Sequence, residues 1–192
     1  MATETKIDRR ILKTKDAINK AFLELFAEKG LEQITINDIS ERANVNRGTI
    51  YLHYADKYDL LDKCIDDHLN KMFISCAPLD FNRDRIDLIS ELKPVFSYFE
   101  ENFLFFSSML SNNRTSVFRG RMLQIVASNL KEKIDKQDID QEMDKELMIH
   151  FIASAFVGAV EWWIQNKMPH SPQIMAEQVW RLFEQNDIYF RK

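Results

Sequence analysis

A chain of 192 residues is long enough to bury a full hydrophobic core, and its 45% hydrophobic and 29% charged residues are typical of soluble globular proteins. Only 4 Gly and 4 Pro leave little room for the turns of an all-β fold, and no segment approaches the ~20 uncharged apolar residues of a membrane span. The net charge of −4 argues against a protein that coats nucleic acid indiscriminately.

The first predicted helix follows from apolar residues that recur at spacings of three, four or seven. They are Ile7, Ile11, Ile18, Phe22 and Leu25. Gly30 ends this helix, because glycine can adopt the left-handed backbone of a helix terminus.

A local basic cluster lies on the same segment. Residues 1–55 hold 9 Lys/Arg against 8 Asp/Glu, whereas residues 56–192 hold 17 against 22. Binding to phosphates therefore requires a cluster rather than the field of the whole chain. The available cations are Lys6, Arg9, Arg10, Lys13 and Lys15, followed by Arg47 and Lys57.

Residues 35–61 predict two short helices joined by a tight turn, with a further helix directly behind them. Thr35, Asn46 and Asp56 are each residues whose side-chain oxygen can accept from the first turn of a helix. Apolar residues at helical spacing run across both short helices: Ile36, Ile39, Ala43, Val45, Ile50 and Tyr54. This helix-turn-helix layout presents its second helix to the major groove of DNA.

The remainder of the chain is predicted to be helical throughout. The predicted helices cover 57–75, 86–101, 103–110, 117–136, 147–167 and 174–188. The sequence thus predicts an all-α fold of about nine helices. A helix-turn-helix head (1–55) precedes a helical bundle for ligand binding and dimerisation (56–192).

The head resembles the DNA-binding domain of the TetR family of transcriptional regulators. The matching residues are Ala21–Phe22, Phe26, Gly30, Thr35, Ile39, Ala43, Val45, Gly48, Tyr51, Tyr54, Lys57 and Leu60–Leu61. The resemblance implies a homodimer that binds a palindromic, double-stranded DNA operator, each head reading one half-site through residues 46–52.

Three residues of the reading segment carry two interpretations each. Gly48 allows close approach either to DNA or to another helix. Arg47 can pair with the O6 and N7 acceptors of guanine or hold a phosphate, and Leu52 can meet a thymine methyl or lie idle on the surface. Asn46 and Thr49 lie on the same first turn and could contact either bases or phosphates. By analogy with the family, Tyr51, His53 and Lys57 are expected to hold phosphates, and the helix that starts after Thr35 adds backbone donors.

An aromatic and methionine cluster in the middle of the chain predicts either an apolar ligand pocket or an ordinary core. The resemblance favours a small hydrophobic inducer for the group as a whole. The candidate lining residues are Phe96, Phe99, Phe103, Phe106, Met109, Leu110, Phe118 and Met122.

The last two long helices interleave small and large apolar residues. In the family such a pair packs against its twin as a four-helix dimer interface, the alternative being burial inside one subunit. The predicted interface residues are Ala155, Phe156, Gly158, Ala159, Trp163, Val179, Trp180 and Phe183.

Enzyme functions find no support in the sequence. The four histidines show no metal-ligand spacing, and no phosphate loop or nucleophile elbow occurs. We therefore expect no cofactor, no metal and no membrane partner. Cys64 and Cys76 are too few for a disulfide framework, which favours reduced thiols in a cytoplasmic protein. The alternatives to a ligand-responsive repressor are an activator of the same type and a helical binding module without DNA function.

Overall fold

The computed structural model describes residues 9–75, 85–111, 115–134 and 144–185, and within these ranges it contains nine α-helices and no strand. The helices are α1 (Arg9–Gln33), α2 (Ile36–Ala43), α3 (Arg47–Tyr51), α4 (Lys57–Ser75), α5 (Arg85–Glu101), α6 (Phe103–Ser111), α7 (Thr115–Ile134), α8 (Lys145–Gln165) and α9 (Pro172–Gln185). The predicted all-α class is confirmed, and from α4 onward each helix begins within two residues of its predicted start.

The chain divides into two compact units, with the boundary between Asp67 and His68. This boundary lies inside α4, twelve residues beyond the division predicted from the sequence. The first half of α4 therefore belongs to the unit that holds the helix-turn-helix, and its second half belongs to the other unit.

The first unit is built on α1, which packs against α2, while α2 packs against α3. Ile18, Phe22, Phe26, Ile39 and Ile50 are buried between these helices. Each such side chain contributes roughly 1.5–3 kcal/mol when it is fully removed from water. Three short helices thereby gain a common core that none of them could form alone.

Two ion pairs fasten α2 to α1. The guanidinium of Arg42 donates two parallel hydrogen bonds to the carboxylate of Glu28, at 2.8 and 2.9 Å. Lys29 Nζ lies 2.8 Å from Asp38 Oδ2. These contacts fix the position of α2 along α1, and the sequence reasoning did not identify either pair.

Gly30 interrupts α1, as predicted, with φ 70° and ψ 163°. This region of backbone space is essentially restricted to glycine. The chain leaves the helix axis at this point, and Leu31 folds back into the core with 6% of its surface exposed.

In the second unit α5 packs along α9 and α7 along α8, and α6 contacts α5, α7 and α8. The guanidinium Nε of Arg119 on α7 lies 3.0 Å from Glu161 Oε1 on α8. Cys64 on α4, in the first unit, is buried and forms no disulfide within the described residues, and Cys76 lies outside them.

Among the described helices, α8 is long and apolar enough to cross a membrane by length and composition alone, with a mean hydropathy of 1.6. The helix carries Lys145, Glu146 and Glu161, so it does not contain the ~20 uncharged apolar residues to which the sequence prediction refers. Half of the apolar window is buried inside the molecule, and the core helix of a soluble protein meets the same criterion.

Candidate nucleic-acid interface

A capping box at Thr35 starts α2. Thr35 Oγ1 accepts the backbone N–H of Asp38 at 3.2 Å, and Asp38 Oδ2 accepts the backbone N–H of Thr35 at 2.8 Å. The Lys29 ammonium, together with the donors of Thr35, lowers the pKa of Asp38 from its usual 3.8 to about 2. Because Asp38 occupies both donors of Thr35, this residue starts the helix and does not offer its own side chain to a phosphate.

A left-handed residue forms the tight turn that follows α2. Asn44 has φ 52° and ψ 47°, which asparagine tolerates better than most residues, and Val45 N–H donates to Ser40 O at 3.0 Å. Asn46 then caps α3 by accepting the N–H of Gly48 at 3.3 Å. The sequence predicted the cap at Asn46 but passed over Asn44, although asparagine directly after a helix is a recognised termination signal.

The short helix α3 has one anchored face and one exposed face. Ile50 is fully buried, and the Tyr54 hydroxyl just beyond α3 donates to Asn19 Oδ1 on α1 at 3.0 Å. Burial raises the pKa of Tyr54, which keeps this hydroxyl protonated as a donor. On the other side Arg47 is exposed, and Tyr51 and Leu52 are 52% and 79% exposed. Arg47, Tyr51 and Leu52, three of the residues predicted to contact DNA, are therefore open to solvent.

Gly48 has open space where a side chain would be. A Cβ built at this position meets no described atom within 4 Å. Close packing against another helix, one of the two interpretations of Gly48, therefore does not explain the glycine. Thr49 is half-buried beside it.

A basic groove lies close to α3. It has a volume of about 520 Å³ and is lined by Arg9, Arg10, Lys13, Thr14, Ala17 and Val45. Three cations of the predicted basic cluster thus meet the turn that precedes α3. Lys15 does not line the groove, and Lys6 lies outside the described residues.

Lys57 does not fit its predicted role as a phosphate clamp. Its Nζ donates to three backbone carbonyls, those of Leu31, Glu32 and Ile34, at 2.9, 3.0 and 2.9 Å. An ammonium group has three N–H donors, so these carbonyls occupy all of them. The partners of Lys57 thus lie in its own chain.

Lys63, which the sequence reasoning missed, has a similar role one turn and a half further along α4. Its Nζ donates to His53 O at 3.1 Å and to Asp59 Oδ2 at 2.8 Å. His53 itself is half-buried, with its ring centroid 6.2 Å from that of Tyr54. The predicted phosphate contacts of Tyr51 and His53 stay predictions.

Several of the predicted pocket residues lie in a cluster of packed rings in the second unit. All except Phe103, which is 37% exposed, are buried. Phe106 is central: its ring centroid lies 4.6 Å from that of Phe99, 5.0 Å from that of Phe105 and 6.1 Å from that of Phe118. The Phe96 ring, by contrast, lies against those of Phe156 and Trp163.

His68 belongs to the same cluster, although the sequence reasoning did not include it. The His68 ring stacks on Phe105 with centroids 3.9 Å apart, and its Nδ1 lies 3.0 Å from the Tyr98 hydroxyl. A hydrogen-bonded pair of polar side chains thus lies among the aromatic rings.

Four of the eight predicted interface residues on α8 and α9 are buried, and the other four are exposed or half-buried. Phe156, Trp163, Val179 and Trp180 are buried within the subunit, and Trp163 Nε1 donates to His170 O at 2.9 Å. These four are core residues, because a side chain already buried in its own subunit offers no surface to a partner. Phe183 packs against a small internal cluster around Ile134 and Ile149.

An exposed apolar face remains on the opposite side of α8. Leu147, Phe151 and Trp162 are 69%, 58% and 50% exposed, and Ala155 and Gly158 lie between them at helical spacing. Ala159 is half-buried at its edge. A Cβ built at Gly158 also meets no described atom within 4 Å, so packing inside the subunit does not require this glycine.

Metal-binding geometry is absent from the part of the chain that the structure describes: no three His, Cys, Asp or Glu side chains form a group that could hold an ion.

Two family models match the chain, one in each part. Residues 18–64 match the model described as bacterial regulatory proteins, tetR family. Residues 87–185, more than half of the chain, match the model described as transcriptional regulator C-terminal region.

Curated relatives and solved structures agree with these matches. The HTH-type transcriptional regulator YxbF of Bacillus subtilis is 29% identical over 91% of this chain, but the match spans only 46% of the length of YxbF. The negative transcriptional regulator IcaR of the biofilm operon icaADBC in Staphylococcus aureus is 27% identical over 69% of this chain and 67% of its own. The crystal structure of the regulator FadR from Bacillus subtilis in complex with stearoyl-CoA has the same fold, with a TM-score of 0.60 and 21% identity. Its alignment covers 87% of this chain and 96% of FadR.

Proposed function

The chain belongs to the TetR family of bacterial transcriptional regulators, and on that premise we propose that it is a repressor that binds a palindromic operator as a homodimer and responds to a small apolar ligand. Members of this family are DNA-binding regulators rather than enzymes. A repressor is favoured over an activator because IcaR, a relative that matches 69% of the chain, is a negative regulator. Since its target is DNA, we place the protein in the cytoplasm.

The exposed face of α3 is the observation that carries the proposal. Arg47 offers a guanidinium fork that matches guanine, and Leu52 offers an apolar surface that matches a thymine methyl. The open space at Gly48 lets the backbone of α3 approach the base edges closely. These features suit a short helix that enters the major groove by its N-terminal residues.

The basic groove is assigned to the DNA backbone. Arg9, Arg10 and Lys13 place three cations beside the turn that precedes α3. Contacts of this kind set the register of a protein on the duplex and carry no sequence information. Because the chain as a whole carries a net charge of −4, the attraction to DNA phosphates comes from the groove and the adjoining turn alone.

The exposed face of α8 supports dimerisation. A stripe of Leu147, Phe151, Ala155 and Trp162 is costly to leave in water, and patches of this kind mark protein interfaces. Gly158 in the middle of the stripe permits a second helix to approach closely. Two copies of α8, each joined by its own α9, would bury the stripes against each other and bring two reading heads to two half-sites.

The aromatic cluster is the proposed ligand site. Its rings and methionines suit an apolar molecule, and His68 with Tyr98 supplies a polar pair that can orient one end of it. FadR, which has the same fold, was crystallised with an acyl ligand. We propose that the ligand acts through α4, since this helix belongs to both units.

Selection of bound duplexes from a random DNA pool tests the function directly. We expect recovery of a palindrome whose half-sites are at least about one helical turn apart. Affinity for the recovered site should fall linearly with log salt, and Arg47→Ala should relax preference at one base pair per half-site. Recovery of no consensus, together with binding that does not respond to salt, would refute DNA recognition and leave a helical binding module.

A further inference from the structure

The first turn of α4 is joined by two side chains to residues 31–34, the connection that follows Gly30 and leads into α2. Lys57 Nζ donates to the carbonyls of Leu31, Glu32 and Ile34 at distances of 2.9 to 3.0 Å. The Tyr58 hydroxyl adds a second contact, donating to Glu32 Oε2 at 3.0 Å. Two consecutive residues of α4 thus hold one four-residue connection.

The conformation of Gly30 explains why these carbonyls need a donor. Its φ of 70° and ψ of 163° end the regular part of α1. Carbonyls at the end of a helix lose their partners four residues ahead and carry partial negative charge. An ammonium group placed among them both satisfies and neutralises them.

The same connection leads directly into the helix-turn-helix. Ile34 O, one of the three acceptors, precedes Thr35, whose capping box starts α2. Any displacement of the connection therefore displaces the start of α2, and with it the turn and α3.

We propose that Lys57 is a positioning residue for DNA binding: it fixes the start of α2 against α4 and contacts no phosphate. The inference rests on the proposed DNA-binding function and differs from what the charge of Lys57 alone suggests. A phosphate could capture the ammonium only by breaking three hydrogen bonds to backbone carbonyls, of which that of Leu31 keeps a second donor, the N–H of Ile34 at 3.2 Å. Acceptors that lose their donor are costly.

The test compares Lys57→Met with Lys13→Met, a matched control in the basic groove. Methionine keeps the apolar stem and removes the three donors. We expect Lys57→Met to weaken operator binding by about tenfold, since carbonyls lose their partners. The slope of log affinity against log salt should not change in this variant. Lys13→Met should reduce the magnitude of that slope by ~0.9, the value for one lost phosphate contact.

Amide hydrogen exchange in the free protein provides a readout that does not depend on DNA. Positioning by Lys57 predicts faster exchange confined to residues 34–39 in Lys57→Met, with the amides of α1 before Gly30 unchanged. General destabilisation would accelerate both regions. If the native protein binds no operator, the proposed function fails, whereas the exchange result still decides whether Lys57 holds the connection.

Lys57→Arg keeps the positive charge but replaces the compact ammonium by a planar fork. Positioning predicts that arginine does not restore full affinity, and a phosphate contact predicts that it does. This variant also serves if Lys57→Met does not fold. The proposal would be overturned by a reduced salt slope in Lys57→Met or by full rescue of affinity in Lys57→Arg. It would equally be overturned if Lys57→Met left operator affinity unchanged, or left hydrogen exchange at residues 34–39 unchanged.

Discussion

Two exposed helix faces, one on α3 and one on α8, are each built around a glycine with open space beside it. Gly48 is flanked by Arg47 and followed by exposed Tyr51 and Leu52. Gly158 lies in a stripe with Leu147, Phe151 and Trp162. The first face is short and polar with a single apolar tip, whereas the second is long and apolar.

A glycine inside a helix costs ~1 kcal/mol relative to alanine. Neither glycine recovers this cost by close packing within the described part of its own chain. The proposed contacts with DNA and with a second subunit would offset this cost, and the neighbouring side chains match those two partners. Guanidinium and hydroxyl groups match base edges and phosphates, while leucine, phenylalanine and tryptophan match another apolar surface.

The largest effect is expected from filling the open space on α8. Gly158→Trp should separate the dimer, because an indole holds the two α8 stripes apart. Operator affinity should then fall by roughly 100-fold, since each subunit binds a single half-site. Sedimentation measures the assembly, and Gln124→Trp on the exposed side of α7 is the control. A dimer that persists in Gly158→Trp would place the interface elsewhere.

On α3 the guanidinium provides a smaller and more local effect. Arg47→Ala should reduce discrimination at one base pair of each half-site by ~1–3 kcal/mol. Competition binding with single-base variants of the operator measures this loss, and Lys13→Ala is the control because it should weaken all sequences alike. Equal losses on operator and scrambled DNA would assign Arg47 to the phosphate backbone.

Gly48→Ala should have opposite effects on the stability of the protein and on its affinity for the operator. The new methyl group meets no described atom, and alanine favours the helix, so the free energy of unfolding should rise by up to ~1 kcal/mol. The same methyl group should hold α3 away from the bases and weaken operator binding. Thermal melting and a binding titration on one sample measure both. A variant that binds as well as the native protein would remove the close-approach role of Gly48.

Acid provides the smallest contrast, which lies between Asp38 on α2, in the unit that carries the α3 face, and the stripe of α8. The pKa of Asp38 falls from its usual 3.8 to about 2 in the folded state, mainly through Lys29. A lowered pKa means that Asp38 stabilises the head fully above pH ~3.8, and this stabilisation is lost as the pH falls towards 2. Unfolding of the native protein and of Asp38→Asn should therefore converge over this window. The apolar stripe of α8 contains no carboxylate and should not contribute to the difference.

The sequence predicted the features of this protein that depend on neighbours along the chain. Thr35, Asn46 and Asp56 cap their helices as predicted, because a cap involves residues two or three positions apart. The helix starts from α4 onward follow from the same local signals.

Features that depend on distant backbone atoms were not predictable in this way. Lys57 finds its carbonyl partners 23 to 26 residues earlier, where the conformation of Gly30 presents them. On α8 both faces are apolar, so periodicity locates the helix but does not say which stripe lies inside. Trp163 was assigned to the interface and Trp162 was not, whereas the structure buries Trp163 within the subunit and leaves Trp162 50% exposed.

The difference in exposure between Trp162 and Trp163 gives the protein an internal optical probe. Its three tryptophans are Trp162, Trp163 and Trp180, and two of them are buried in the subunit, at 0% and 4% exposure. Only the indole of Trp162 stands on the α8 stripe. Assembly of two subunits would transfer this one chromophore from water to an apolar environment, so the fluorescence maximum on dilution should shift to longer wavelength through a single residue. Trp162→Phe would remove the signal while leaving the other two emitters as an internal reference.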